Sequence, residues 1–170
     1  HSSEPLYQAF IDAGKQAGYE ESADFNGESQ FGVGRYQVNI EGGRRAGALR
    51  AFLIPALSRD NLMATTGVHV TRIVTEAGRA TAVEYRLGDS PEVRRITARR
   101  EIVLSAGSMQ SPQILLLSGM GDPEALRDVG VESVAALPGV GRNLQDHVDV
   151  AVTYRSPLPL LWSRTKGFRA

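Results

Sequence analysis

The sequence predicts an α/β fold, a parallel sheet with an antiparallel meander inserted in it. Ile102, Val103 and Leu104 form a short apolar run that is typical of a strand buried on both faces. Small residues lead from this run into a short helix, as in the strand-to-helix connections of such folds. Upstream, strand-like segments joined by short turns between residues 68 and 98 indicate the meander.

The chain begins with a predicted amphipathic helix over residues 5–17. Its apolar side chains recur at helical spacing and are Leu6, Ala9, Phe10, Ala13 and Ala17. We expect Ser3 to cap this helix and Gly18 to end it. The polar, glycine-rich residues 20–34 that follow are expected to form a loop.

The next two segments have different periodicities. Residues 36–40 alternate between polar and apolar side chains, which predicts a short strand. Residues 46–58 have a helical pattern. Pro55 must kink this helix or end its first part, because proline has no backbone N–H to donate.

The meander is predicted from residues that favour strands. The strand-forming segments are residues 62–65, 68–75, 81–87 and 93–98. Residues 76–79 and 88–91 have the composition of tight turns between the last three segments. Strands that follow one another with short turns pair as an antiparallel meander.

The predicted strand at residues 101–105 ends in three compact residues, namely Ser105, Ala106 and Gly107. We expect Ser111 to cap the next helix, with Pro112 at its first position and Gly119 as its left-handed end residue. In α/β folds such a connection brings backbone close to a dinucleotide. The same pattern also suits a tight turn that binds nothing, and the local sequence leaves both interpretations open.

A second short helix is predicted to start at Asp122. Asp122 is a suitable cap, Pro123 suits the first helical position, and Glu124 suits the positive end of the helix. Gly130 is expected to end it. From residue 151 the pattern becomes strand-like, and the Pro-containing residues 156–159 break it, where we expect a second domain to begin.

Composition excludes several classes of function. The net charge is zero, so no electrostatic attraction to nucleic acid or membrane is expected. The absence of cysteine excludes disulfides, thiolate metal sites and a cysteine nucleophile. No histidine–carboxylate pair has metal-ligand spacing, and no apolar stretch is long enough to span a membrane. The composition leaves the redox compartment undetermined, and we expect a cytoplasmic protein. The arginines at positions 94, 95, 99 and 100 are interpreted as a solvated surface rather than a phosphate site.

Several motifs, in order along the chain, resemble the glucose–methanol–choline (GMC) oxidoreductases. The second signature of that family is matched at Gly107-Ser108, Ser111-Pro112, Ile114-Leu115 and Ser118-Gly119-Met120-Gly121. A later recurrent block of the family is matched at residues 137–147, and earlier ones at residues 24–27, 43–45 and 59–62. The resemblance covers residues 5–150 and is nearest to the choline dehydrogenase-like branch.

The resemblance implies part of a glutathione-reductase-type FAD-binding domain with the start of a substrate domain. Residues 1–40 are then a helix and loop at the junction of the two domains, residues 41–150 a portion of the FAD domain, and residues 151–170 the start of the substrate-binding domain. The family's G-x-G-x-x-G phosphate turn and its catalytic histidine have no counterpart here. We therefore expect the chain to be an incomplete piece of a longer parent chain, whose remaining segments are its partners.

The resemblance also implies an activity, the FAD-dependent oxidation of a CH–OH group in a small-molecule alcohol, with hydride transfer to flavin N5. The cofactor-binding residues that it implies are Val68, Ser105, Ala106 and Gly107. Val68 would offer its backbone to the adenine ring, and the other three would let backbone approach the ADP portion. No residue of this chain is assigned to catalysis or to a metal. His147, beside Asp146, is expected to have a structural role near the domain junction.

One alternative stays open at this point. The chain as it stands could be a catalytically inert FAD-domain fragment or an association module. By pattern alone, Val68 is also an ordinary core valine and His69 an ordinary half-exposed strand residue.

Overall fold

The computed structural model describes residues 5–150 and residue 152. The chain divides into two compact units. The second unit is Met63–Asp149, and the first contains the residues up to Leu62 and those from Val150 onward. The expected cap at Ser3 and, apart from residue 152, the expected start of a substrate domain at residues 151–170 lie outside the described residues. The domain boundaries drawn from the resemblance stay predictions.

The first unit begins with helix α1, Pro5–Gln16, which confirms the predicted N-terminal helix. The predicted apolar face is wrong, since its side chains are exposed, and the buried residue of the helix is Ile11, with 2% of its surface exposed. Gly18 follows the helix with a φ of +91°, the left-handed conformation that glycine adopts without a steric penalty. Its N–H donates to the Lys15 carbonyl, which satisfies one of the last free carbonyls of the helix.

The remainder of the first unit has little regular structure. Strands β1, Ile40–Glu41, and β2, Arg44–Arg45, form a two-residue antiparallel hairpin. The strand predicted over residues 36–40 is therefore wrong except at its last residue. Its N-terminal part makes local contacts instead: the Tyr36 ring lies 4.9 Å from the Phe25 ring, centroid to centroid.

The helix predicted over residues 46–58 is present in a shorter form. A π-helical stretch at Leu49–Leu53 continues into α2, Ile54–Ala56. Pro55 lies at the start of α2, so the geometry changes beside the proline that was expected to break the helix.

The second unit is built on the predicted meander. Strands β3, Val68–Glu76, β4, Arg79–Leu87, and β5, Arg94–Thr97, pair antiparallel in the order β3-β4-β5. Ala77 and Gly78 connect β3 to β4 with positive φ values of 49° and 76°, the signature of a two-residue type I′ turn. The strand-forming residues 62–65 form no strand.

Helices and a short parallel pair complete this unit. Helix α3, Gly107–Leu117, packs on β3. Strand β6, Met120–Gly121, pairs parallel with β7, Ala135–Ala136, and α4, Pro123–Asp128, lies between them in sequence. The mixture of helices with parallel and antiparallel strands confirms the α/β class.

Apolar side chains from four elements are buried in this unit, namely Ile73, Ala82, Ile114 and Leu126.

Helix α4 has the predicted termini. The Asp122 carboxylate accepts a hydrogen bond of 3.0 Å from the Glu124 N–H, and Gly130 follows the helix with a φ of +75°.

The strand predicted at residues 101–105 is wrong. It pairs with no strand among the described residues, and its side chains alternate between exposed and half-buried. Val103 is 77% exposed, so the apolar run is covered on one face rather than two. A strand requires a neighbour for its backbone hydrogen bonds, and the described part of the chain provides none here.

The predicted start of the next helix is also wrong. Helix α3 begins at Gly107, with Pro112 inside it, rather than at Pro112 with Ser111 as the cap. The Ser111 hydroxyl instead accepts a hydrogen bond of 3.1 Å from the Ala106 N–H. It therefore satisfies a donor just before the helix, which begins five residues earlier than the sequence pattern indicated.

Candidate functional site

Ser105, Ala106 and Gly107 lie where the chain enters α3. Ser105 and Gly107 are exposed, and Ala106 is half-buried. Gly107 has a φ of +87°, and a Cβ atom built on it would meet no atom within 4 Å. Glycine is therefore required here for its backbone conformation, and the space beside it is open.

The N-terminus of α3 carries no side-chain cap. The first N–H groups of a helix have no partner within the helix, and their partial positive charge favours an anion or an acceptor group. The Ser111 hydroxyl contacts the Ala106 N–H rather than these groups. The beginning of α3 therefore presents backbone donors and a compact surface together.

The segment that leads to this point is held by a side chain from the meander. The Arg79 guanidinium donates a hydrogen bond of 3.0 Å to the Arg100 carbonyl. This contact fixes the backbone just before residues 101–105, which have no strand partner of their own among the described residues.

Val68 is the first residue of β3 and is half-buried. It pairs with Leu87 of β4, and the next bond of the ladder joins the Gly88 N–H to the Gly67 carbonyl at 2.8 Å. Val68 thus opens its strand, as expected. A hydrogen bond between β3 and α3 occurs at Ile73 and Ser118, at the opposite end of α3 from Gly107. The proximity of Val68 to Gly107 stays a prediction.

Sequence reasoning assigned Ser118 no role beyond its place in the matched signature. The structure buries it, with 6% exposed, and its hydroxyl accepts a hydrogen bond of 2.8 Å from the Ile73 N–H. The signal in the sequence was a small polar residue between the apolar run of α3 and Gly119.

The glycines after Ser118 are crowded. A Cβ on Gly119, whose φ is +78°, would collide with the Glu132 carbonyl and lie 2.8 Å from Val134 Cγ2. A Cβ on Gly121 would lie 2.5 Å from Leu116 Cδ2. The end of the matched signature is therefore a packing junction, unlike its beginning.

The two described histidines that were considered in the sequence form no catalytic arrangement. The Asp146 carboxylate accepts a hydrogen bond of 2.8 Å from the backbone N–H of His147, so the bond does not involve the imidazole. His69 is exposed on β3 and pairs in register with Arg86.

An acidic loop in the first unit lines a surface cavity of about 270 Å³. Its lining includes the acidic residues Glu20, Glu21, Asp24 and Glu28. Glu21 forms an ion pair of 2.9 Å with Lys15. The hydrogen bond to the Glu21 carboxylate, and the attraction of its charge, raise the pKa of the Lys15 ammonium.

The matched signature, with its open beginning and its packed end, occurs within a longer family match. Residues 1–149 match the family model described as GMC oxidoreductase. The chain belongs to the GMC oxidoreductase family. The GMC resemblance that the sequence motifs indicated is therefore confirmed.

Curated GMC relatives support the same branch of the family. The chain is 45% identical over 171 residues to an oxygen-dependent choline dehydrogenase of Rhizobium johnstonii, covering 96% of this chain and 31% of the relative. It is 46% identical over 156 residues to the oxygen-dependent choline dehydrogenase of Vibrio vulnificus, covering 92% and 28%. The chain thus spans about a third of the length of these relatives.

Two solved structures have a similar fold. Pyridoxine 4-oxidase from Mesorbium loti aligns with a TM-score of 0.71 and 34% identity, covering 85% of this chain and 28% of that one. An FAD-dependent oxidoreductase from Chaetomium thermophilum aligns with a TM-score of 0.76 and 30% identity, covering 84% and 25%. These alignments confirm that the α/β fold of this GMC chain is that of FAD-dependent oxidoreductases.

A search of the described helices for a membrane span gave a negative result, since none is both long enough and apolar enough to cross a bilayer.

Proposed function

We propose that the parent protein is an FAD-dependent oxidoreductase that acts on the CH–OH group of an alcohol, and that this chain supplies part of its FAD-binding domain. Membership of the GMC family supports this proposal, as do relatives that are named oxygen-dependent choline dehydrogenases. We place the protein in the cytoplasm as part of the same proposal.

The single observation that carries the site assignment is the geometry at the start of α3. Gly107 adopts a positive φ beside open space and is the first residue of a helix whose N-terminus has no side-chain cap. A nucleotide fits this arrangement, because backbone donors and a residue without a side chain allow close approach of a phosphate or ribose. We assign the ADP portion of FAD to Ser105, Ala106 and Gly107.

Val68 is assigned to the adenine ring. It opens β3 at an edge of the meander, and its role requires only its backbone N–H and carbonyl. Recognition by backbone tolerates a change of side chain, so this assignment predicts that Val68→Ile retains FAD affinity.

The residues of this chain bind and orient the cofactor. When bound, FAD supplies the redox chemistry, accepting a hydride from the carbinol carbon at flavin N5. We propose that the base that removes the hydroxyl proton belongs to a segment of the parent protein outside this chain. Choline is the first alcohol to assay and oxygen the first electron acceptor, because both occur in the names of the relatives.

The proposal is tested on the purified full-length protein. We expect the protein to show flavin absorbance and to release the flavin on denaturation. We also expect an alcohol to reduce the bound flavin under anaerobic conditions. The isolated 170-residue chain is expected to give no alcohol-dependent turnover above a heat-inactivated control. A full-length protein that contains no flavin, and takes up none when FAD is added, would contradict the proposal and favour the inert-module alternative.

A further inference from the structure

Ser118 is the polar residue that the structure buries within the described part of the chain. Its hydroxyl accepts a hydrogen bond from the Ile73 N–H and donates one to the Ile114 carbonyl, one helical turn earlier. Both hydrogen-bonding functions of the hydroxyl are used, so the side chain is held in one orientation.

The Ile73 N–H belongs to an edge strand. In the order β3-β4-β5, β3 has one neighbour, β4, with which Ile73 is in register at Val83. Backbone N–H groups that face away from the neighbour of an edge strand need another acceptor when they are buried. Ser118 is that acceptor at Ile73, where a further strand would otherwise be needed.

This hydrogen bond joins the two elements that carry the proposed adenine and ADP contacts. Strand β3 starts at Val68, and helix α3 starts at Gly107. Apolar packing is non-directional and leaves a helix free to slide or rotate on a sheet. A buried hydrogen bond with defined geometry restricts both motions.

We propose that Ser118 is a positioning residue for FAD. Its hydroxyl aligns α3 on β3, so that Val68 and residues 105–107 contact the same cofactor. Ser118 acts through those residues and not on the cofactor itself, and the inference rests on the proposed function. The same hydroxyl explains why the matched signature has a buried serine near its end, although the proposed cofactor contact at Gly107 is 11 residues earlier.

The test compares Ser118→Ala with Ile73→Val in the full-length apoprotein. Ile73→Val trims the buried side chain at the same contact but keeps both the backbone N–H and the Ser118 hydroxyl. Each variant is titrated with FAD and with ADP, which carries the adenine and diphosphate without the flavin. Amide hydrogen exchange at Ile73 reports on the hydrogen bond directly.

We expect Ser118→Ala to raise the Kd for FAD and for ADP by a similar factor, about tenfold, because a buried N–H loses its acceptor and α3 loses its alignment. Exchange at Ile73 becomes faster in that variant alone. Ile73→Val keeps wild-type affinity for both ligands. Ser118→Thr, which retains a hydroxyl, restores the affinity that alanine loses.

Three outcomes separate the claims. A wild-type protein that binds neither FAD nor ADP contradicts the proposed function before Ser118 is considered. Wild-type affinity in Ser118→Ala, together with faster exchange at Ile73, overturns the positioning role and leaves the proposed function intact. If Ser118→Ala does not fold, Ser118→Cys keeps the size of the side chain but weakens the acceptor. Unchanged FAD affinity in Ser118→Cys, with faster exchange at Ile73, then overturns the positioning role.

Discussion

The two ends of helix α3 differ in what surrounds them. At the N-terminal end, Gly107 faces open space, and no side chain caps the helix. At the C-terminal end, Ser118 is buried and Gly119 lies against Glu132 and Val134, just before β7. Both glycines have a positive φ, yet Gly107 is exposed at the surface and Gly119 is enclosed by protein. Two residues of the same type in one short motif therefore serve different purposes.

The largest effect is expected from Gly119→Ala. The new Cβ would be forced against the Glu132 carbonyl and Val134 at a positive φ, so we expect a loss of about 3 kcal/mol in the free energy of unfolding. Urea unfolding measures it. The matched control is Gly130→Ala, which has a similar φ of +75° but nothing within 4 Å, and should lose about 1 kcal/mol. Equal losses in the two variants would show that crowding at Gly119 is unimportant.

The next effect is expected from Gly107→Val, and it concerns the cofactor. If backbone at Gly107 must approach FAD, the branched side chain should weaken FAD binding by at least about tenfold, with an unfolding loss of about 1–2 kcal/mol from the positive φ. Flavin content and unfolding are measured on the same sample.

Gly107→Ala is the matched control for this variant, because it has the same φ and a much smaller side chain. It should retain more FAD than Gly107→Val. Full flavin occupancy in a stably folded Gly107→Val protein would rule out close approach of the cofactor at this position.

Asp122→Ala tests the packed region that follows the C-terminal end of α3. The Asp122 carboxylate caps α4, so its loss should lower the free energy of unfolding by about 1 kcal/mol. FAD affinity should not change, since α4 is outside the proposed site. Asp122→Asn retains a capping oxygen and should recover most of the stability. Weaker FAD binding in Asp122→Ala at unchanged stability would place α4 in the site and break the contrast.

Ser111→Ala should have the smallest effect on stability. It removes a half-buried hydrogen bond to the Ala106 N–H, for which we expect a loss of about 0.5–1 kcal/mol. Amide exchange at Ala106 should become faster while exchange at Ile73 does not. Coupled changes at both amides would show that the two ends of α3 are not independent.

Features that depend on neighbours in sequence could be predicted. The turn at Ala77 and Gly78, the Asp122 cap and the terminating role of Gly130 all follow from local backbone preferences, and all are present. The family motifs added the type of α/β fold, that of an FAD-dependent oxidoreductase, because they occur along most of the chain rather than in one segment.

Features that depend on distant partners could not be predicted. Residues 101–105 have the composition of a buried strand, but a strand is defined by its neighbour, which no local pattern reveals. The Ser111 hydroxyl contacts the Ala106 N–H only five residues away, and this contact was missed because α3 begins earlier than the local pattern indicated. Ser118 was missed because its partner, Ile73, is 45 residues away.

The 45 residues between Ile73 and Ser118 have a consequence for the order of folding. The β3–β4 hairpin closes over a two-residue turn, and hairpins of this kind form in about 1–10 μs. Contacts across long loops form later. We therefore expect the refolding chain to pass through a stage in which β3 is paired with β4 but the outer edge of β3 has not yet formed its hydrogen bond with Ser118. An open edge can pair with strands of other molecules. We therefore expect the chain to be most prone to aggregate before α3 packs on β3 and the Ser118 hydroxyl accepts from the Ile73 N–H.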